Sequence, residues 1–232
     1  MKFLRNVVDG FTQLLGSVKR NRRIRPKGDS PLLVNIGCGL SVCEGWLNID
    51  GSLNALIASW PGFMHRIFYK LSGANQYYSQ QEYCDLLQKH RFIHHDLIHG
   101  IPLVNGVVDV VYTSHFLEHL YKDNGKQLLQ EAYRVLKPGG TLRVCVPDLV
   151  YALTLYSRGE KEKMLLNYFF VEDQGSQYAR HKYMYDFEML KTILHEIGFK
   201  EVRRCAYRQG LTPNLDCLDN RPEETLYIET RR

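Results

Sequence analysis

Hydrophobic residues fall into short runs along this 232-residue chain, and most runs are closed by glycine, proline or an acid. "LLVNI" (32–36) and "WLNID" (46–50) have strand character, as do "FIHHDL" (92–97), "VVDVVYT" (107–113) and "TLRVCVPD" (141–148). "SQQEYCDLLQKH" predicts a helix, and so does "NGKQLLQEAYRVLKPGG". The second gathers Leu128, Leu129, Ala132, Val135 and Leu136 on one face, with Pro138 and Gly139 as its stop. "DFEMLKTILHEIGF" predicts a last long helix ended by Gly198, followed by two strands, "KEVRRCAY" and "TLYIETR". Residues 51–91 and 149–180 lack period-two alternation. The first segment is apolar and aromatic, broken by Pro61 and Gly62, and the second is mixed helical and rich in Tyr, Phe and Lys. Strands alternating with helices in one domain predict an α/β fold with a largely parallel sheet. Ligands in such sheets sit at the carboxyl ends of the strands. Gly37 to Gly39, Asp50, Asp96, Ser114, His115 and Asp148 all fall there.

Composition fits an ordinary globular core, with 44% hydrophobic and 24% charged residues. The net charge of +5 changes the picture only at one end. Residues 1–27 hold eight Lys/Arg against one acid, Asp9, which leaves 22 basic and 24 acidic residues in the remainder. The body therefore has no nucleic-acid-binding charge, and no nucleic acid is expected as a partner. Phe3, Leu4, Val7, Val8, Phe11, Leu14, Leu15 and Val18 share one face at helical spacing ahead of "KRNRRIRPK". This basic amphipathic stretch has two readings, a helix packed on the domain or a contact with an anionic membrane surface. Asp9 and Gln13 interrupt it too early for a signal peptide, and no run of apolar residues is long enough to span a bilayer. Six cysteines without a CxxC pair predict a reduced, cytoplasmic protein, with Cys145 as a small hydrophobe in a strand.

The chemistry concentrates at the strand ends. Gly37 and Gly39 let the backbone turn sharply and approach a ligand, and Asp50 closes the next strand, where an acid accepts from ribose hydroxyls. A dinucleotide would want a third glycine at position 42, which is Val42, and a helix N-terminus for its pyrophosphate. The short stretch from Gly39 to Asp50 leaves little room for that helix, but a ligand with ribose and no phosphate would not need it. "HFLEH" (115–119) matches the inverted zinc-protease pattern, with His115 and His119 on one helix face and Glu118 as base. No third ligand is evident, so no metal is expected and these residues are read as pocket-lining or locally bonded. His94 and His95 in "HHDL" point to opposite faces of a strand, while Asp96 can accept from an exocyclic amine. "RHKYMYD" (180–186) clusters Arg180, His181, Tyr183, Tyr185 and Asp186 before the last long helix, either as a helix cap or as a pocket wall.

Together "VNIGCG", "GWLNID", "HHDL", "VDVVYTSHFLEHL", "EAYRVLKPGGTLRVCVPD" and "YDFEMLKTILHEIGF" resemble the class I S-adenosylmethionine-dependent methyltransferases, over roughly residues 31–232. The compressed "IGCG…GWLNID" is similar to a type 11-like branch associated with polysaccharide biosynthesis. The resemblance implies a Rossmann-like seven-stranded, mostly parallel sheet with the last strand antiparallel, helices on both faces and a helical insertion after the second strand. It implies an arm over 1–30 and a methyltransferase domain over 31–232, with 51–91 and 149–186 as lid segments on the substrate side. Residues 53–71 then form either a lid packed on the core or a surface that meets a membrane or lipid-linked acceptor. S-adenosylmethionine is the implied cofactor and S-adenosylhomocysteine the product. By motif position, Gly37, Cys38 and Gly39 would run under the methionine part and ribose, with Asn35 on the strand before them. Asp50 would bind the ribose hydroxyls, Asp96 and Leu97 the adenine, and Ser114 and His115 would close the site near the sulfonium. Ser41 departs from the glycine of many relatives. A small-molecule or glycan acceptor, methylated on oxygen, is expected, with His115, Asp148 and His181 as candidate bases. An NAD(P)-linked Rossmann enzyme and a non-catalytic scaffold of the same fold, held at a membrane by the basic arm, are the alternatives.

Overall fold

The computed structural model describes residues 10, 18–26, 31–170 and 180–232. The amphipathic helix expected at the N-terminus lies almost wholly outside the described residues. Seven strands form one sheet: β1 (Leu33–Ile36), β2 (Trp46–Asp50), β3 (Arg91–His94), β4 (Val108–Ser114), β5 (Leu136–Pro147), β6 (Lys200–Cys205) and β7 (Thr225–Arg231). Their order is β3-β2-β1-β4-β5-β7-β6. Pairing is parallel from β3 to β5, while β7 runs antiparallel to both β5 and β6. This is the α/β sheet that the alternating pattern and the resemblance imply, with the last strand reversed.

The two faces follow the period-two alternation of the strands. Val34, Ile36, Ile49, Val111, Val144 and Ile228 pack on one side with α4 (Lys122–Val135) and α7 (Phe187–Ile197). The face of α4 expected from sequence is buried there in full, and Leu190 and Leu194 of α7 join it. Asp186 caps α7 by accepting from the Met189 N–H at 2.8 Å, and Gly198 closes it at φ +113°. On the other side Trp46, Tyr112, Cys145 and Tyr227 form a smaller cluster. The insertion after β2 is helical, as implied, with α1 (Leu53–Ile57), α2 (Gly62–Phe68) and α3 (Gln80–Lys89). Its own core of Ile57, Ala74, Tyr83, Cys84 and Leu87 also holds part of Phe92 from β3. Phe63, Ile67 and Tyr77 remain exposed on its outer side. After β5 come α5 (Leu149–Ser157), α6 (Lys161–Met164) and a π-turn over Leu165–Phe169, and α8 (Leu215–Leu218) precedes β7.

Two local readings are corrected. The helix expected to run to Pro138 ends at Val135, and "LKPGG" is the start of β5. The register against β4 jumps from Val108↔Leu136 to Val110↔Thr141, so a bulge absorbs Pro138 and Gly139. A proline without an N–H is tolerated at such a bulge, and Gly139 takes φ +78°. "HFLEH" does not form a helix either. Only Leu117–His119 turn, as one 3₁₀ turn, and His115 sits before it at φ +49°. His115 and His119 therefore do not share a helix face.

The basic arm is not wholly separate from the domain. Ile24 forms a parallel bridge with Leu103, and Lys19 Nζ lies 3.4 Å from His94 Nδ1. All six cysteines are unpaired. No helix among the described residues is long and apolar enough to cross a membrane.

Candidate functional site

Nine residues link β1 to β2. They must return to the far end of an adjacent parallel strand, a distance of roughly 13 Å at about 3.3 Å per strand residue. An extended chain of this length reaches up to about 30 Å, so no helix is needed. The chain turns at Gly37 (φ +65°) and Gly39 (φ +52°) and comes back irregularly. Asn35 holds the return from below: its Nδ2 donates to the Ser41 carbonyl at 2.9 Å and to Asn48 Oδ1 at 3.3 Å. At 1% exposure Asn35 lies beneath the loop, one layer behind its open side.

The two glycines are there for different reasons. A Cβ on Gly37 would stand 2.1 Å from Cγ of Phe116, so the loop packs directly against the segment after β4. A Cβ on Gly39 would meet nothing within 4 Å, which leaves open space over the turn. Asp50 ties this turn to β2. Its Oδ2 accepts from the Gly39 N–H at 2.9 Å, and its Oδ1 accepts from the Ser52 N–H at 2.7 Å. Each carboxylate oxygen keeps a lone pair for another donor. Cys38 is buried, and burial pushes its thiol well above the usual range, so it stays neutral.

The end of β3 lies beside this turn. His95 donates its backbone N–H to the Asp50 carbonyl at 3.0 Å, and Asp96 Oδ1 accepts from the Ile98 N–H at 3.1 Å. That cap starts a 3₁₀ turn over Leu97–His99, in which Leu97 is buried. The strand stops at His94, so the two histidines are not consecutive strand residues. His94 Nε2 contacts the Gly51 carbonyl at 3.2 Å. His95 is fully buried with both ring nitrogens unpartnered, and burial lowers its pKa to about 4.

Ser114 ends β4 opposite Cys145, and the His115 N–H is held by the Cys145 carbonyl at 2.9 Å. A non-glycine residue at positive φ stores backbone strain, a feature that clusters at functional sites. His115 Nε2 lies 3.0 Å from Thr225 Oγ1, and its Nδ1 lies 3.4 Å from Glu118 Oε1. Glu118 is buried at 1% exposure. Burial alone would raise its pKa, but His115 and then His119 outweigh that and lower it. Asp148 is engaged on both oxygens. Its Oδ1 caps α5 through the Val150 N–H at 2.9 Å, and its Oδ2 pairs with Arg204 at 2.5 Å. His181 is held by the Tyr168 carbonyl at 2.8 Å, and burial lowers its pKa.

The carboxyl edge thus brings Gly37, Cys38, Gly39, Asp50, Asp96 and Leu97 together on one side of β1, and Ser114 and His115 on the other. Asp148 borders it through a bridge to Tyr185. Sequence reasoning missed Phe116, which closes on Gly37, and Thr225, which meets His115. Phe116 sits inside "HFLEH" but is not one of its chemical residues, and Thr225 is brought in only by the pairing of strands distant in sequence.

Comparison with known proteins agrees with this architecture. Residues 63–144, about a third of the chain, match the family described as "Methyltransferase domain". No curated protein matches the chain. Among solved structures, a SAM-dependent methyltransferase from Archaeoglobus fulgidus is similar at 17% identity and a TM-score of 0.52, over 98% of this chain and 94% of that one. The apo form of the S-adenosylmethionine-dependent methyltransferase SibL is similar at 17% identity and a TM-score of 0.53, over 96% of this chain and 55% of that longer one. The chain thus has the fold of the S-adenosylmethionine-dependent methyltransferases, and residues 63–144 match the methyltransferase domain family.

Proposed function

We propose that the chain transfers the methyl group of S-adenosylmethionine to an oxygen of a small-molecule or glycan acceptor. The observation that carries this reading is the Gly39–Asp50 unit: a glycine turn open above and fixed to a carboxylate with acceptor capacity left. It suits a ligand that presents ribose hydroxyls and no phosphate. Bound S-adenosylmethionine would supply a methyl already activated as a sulfonium. Gly37, Cys38 and Gly39 would carry its methionine part and ribose, Asp50 its ribose hydroxyls, and Asp96 with Leu97 its adenine. Ser114 and His115 close the other side. The protein's task is then to align an acceptor oxygen in line with the transferred carbon and to exclude water.

Among the three candidate bases, His115 is favoured. Asp148 already serves as helix cap and ion-pair partner, and His181 turns toward Glu118 and His119. His115 Nε2 already pairs with a hydroxyl, that of Thr225, and an acceptor hydroxyl is the same kind of partner. Residues 51–91 and 149–186 are assigned to acceptor selection. An NAD(P) cofactor is disfavoured because the β1–β2 connection offers no helix N-terminus to a pyrophosphate.

Thermal shift with S-adenosylhomocysteine and with NADH, in parallel, tests the reading. Stabilisation by the first and none by the second is expected. Stabilisation by NADH alone, or by neither, overturns it.

A further inference from the structure

We propose that Glu118, His119 and His181 form a site for one divalent transition-metal ion of the zinc type. The ligand atoms of these three residues lie within 4.8 Å of one another. The proposal departs from the expectation of no metal, which rested on a missing third ligand. That ligand, His181, is 62 residues beyond His119 and outside any spacing motif.

Three observations carry the site. First, both carboxylate oxygens of Glu118 are buried and make no hydrogen bond among the described residues, the nearest donors being His115 Nδ1 at 3.4 Å and His119 Nε2 at 3.9 Å from Oε1. A buried carboxylate with only such distant contacts is costly unless a cation completes it. Second, both histidines hold one ring nitrogen on backbone and turn the other toward Glu118. His119 Nδ1 lies 3.2 Å from the Arg180 carbonyl, and His181 Nδ1 lies 2.8 Å from the Tyr168 carbonyl. A carbonyl only accepts, so each Nδ1 carries a proton, and Nε2 is the nitrogen left to ligate an ion. An Nδ1–H bonded to a backbone carbonyl is the outer contact that orients metal-binding histidines. Third, the cluster is held by backbone. The Glu118 carbonyl accepts from the N–H groups of Lys182 at 2.7 Å and Tyr183 at 3.2 Å, which fixes the segment bearing His181 to the turn bearing the other two.

His119 Nε2 stands 3.9 Å from Glu118 Oε1. Ligand atoms around a four-coordinate zinc lie roughly 3.4 Å apart, given bonds of about 2.1 Å, so a small closure seats the ion. Two imidazoles and one carboxylate select zinc-type ions over magnesium and calcium, which prefer oxygen alone. Three protein ligands leave a coordination position open. This site rests on its own geometry and does not require the methyl-transfer reading.

The test uses the full-length chain stripped of metal by a chelator, then titrated with Zn²⁺, with Co²⁺ as an optical probe. One Zn²⁺ per chain and visible Co²⁺ bands from nitrogen ligation are expected. His119→Ala and His181→Ala should each weaken Zn²⁺ binding by about 100-fold, while His90→Ala leaves it unchanged. Circular dichroism checks that the variants fold, and Glu118→Gln, which keeps the side chain's size, provides the third arm. No stoichiometric uptake, uptake insensitive to both histidine variants, or Mg²⁺ bound as tightly as Zn²⁺ would overturn the proposal.

Discussion

Gly37 and Gly39 share a left-handed backbone but differ in what surrounds them, and the difference can be measured. Gly39→Ala meets no atom, so only the backbone term applies, about 1 to 2 kcal/mol. Gly37→Ala adds a collision with Phe116, so the loss should exceed that of Gly39→Ala; urea unfolding of both variants compares them. His95 gives a second prediction at this scale. Its folded pKa is lowered to about 4 by burial, with Asp96 opposing and His99, Arg23 and His94 adding to the effect. In the unfolded chain a histidine titrates near 6.5, so the unfolded state binds a proton first as pH falls. Stability contributed by the neutral ring is present above about pH 6.5 and drains away toward pH 4. Unfolding free energies measured across that window should fall more steeply for the native protein than for His95→Gln. Equal slopes would refute this assignment. The left-handed glycines were legible in the sequence because glycine is the residue that tolerates such φ. His115 at φ +49° was not, since nothing in its side chain announces the strain.

Strand β5 shows how elements far apart in sequence share one buried charge. Arg143 is fully buried, pairing with Asp219 at 2.5 Å and Glu229 at 3.1 Å. It also donates to the Gln209 carbonyl at 3.1 Å. Asp219 in turn accepts from Tyr112 Oη at 3.2 Å and from the Arg208 N–H at 2.9 Å. The network pins the 206–219 connection onto β4, β5 and β7. Removing one partner strands a buried charge, so Asp219→Ala should cost about 3 to 5 kcal/mol. Denaturant unfolding checks this, and a loss under about 1 kcal/mol would contradict it. No sequence pattern marked this network, because pairing depends on the 76-residue separation that the sheet closes. The elements themselves were more legible. Amphipathic period placed α4 and α7, and short apolar runs closed by turn residues or acids placed β1, β2, β4 and β7. The "LKPGG" boundary misled because a bulged strand tolerates the same Pro-Gly pair that stops a helix.

At the scale of the whole molecule, a parallel sheet collects its functional residues at one edge because every parallel strand ends there. Asp50, Asp96, His115 and Asp148 were therefore placed at that edge by the order of strands alone. Their partners were not legible, since Arg204 and Thr225 arrive through the antiparallel end. The central claim is that this edge binds S-adenosylmethionine through Asp50. Calorimetric titration of S-adenosylhomocysteine into the native chain and into Asp50→Ala, with folding of the variant confirmed, tests it most directly. One site in the native chain and at least tenfold weaker binding in the variant, about 1.4 kcal/mol or more, are expected. No binding by the native chain, or equal affinity in the two, would contradict it.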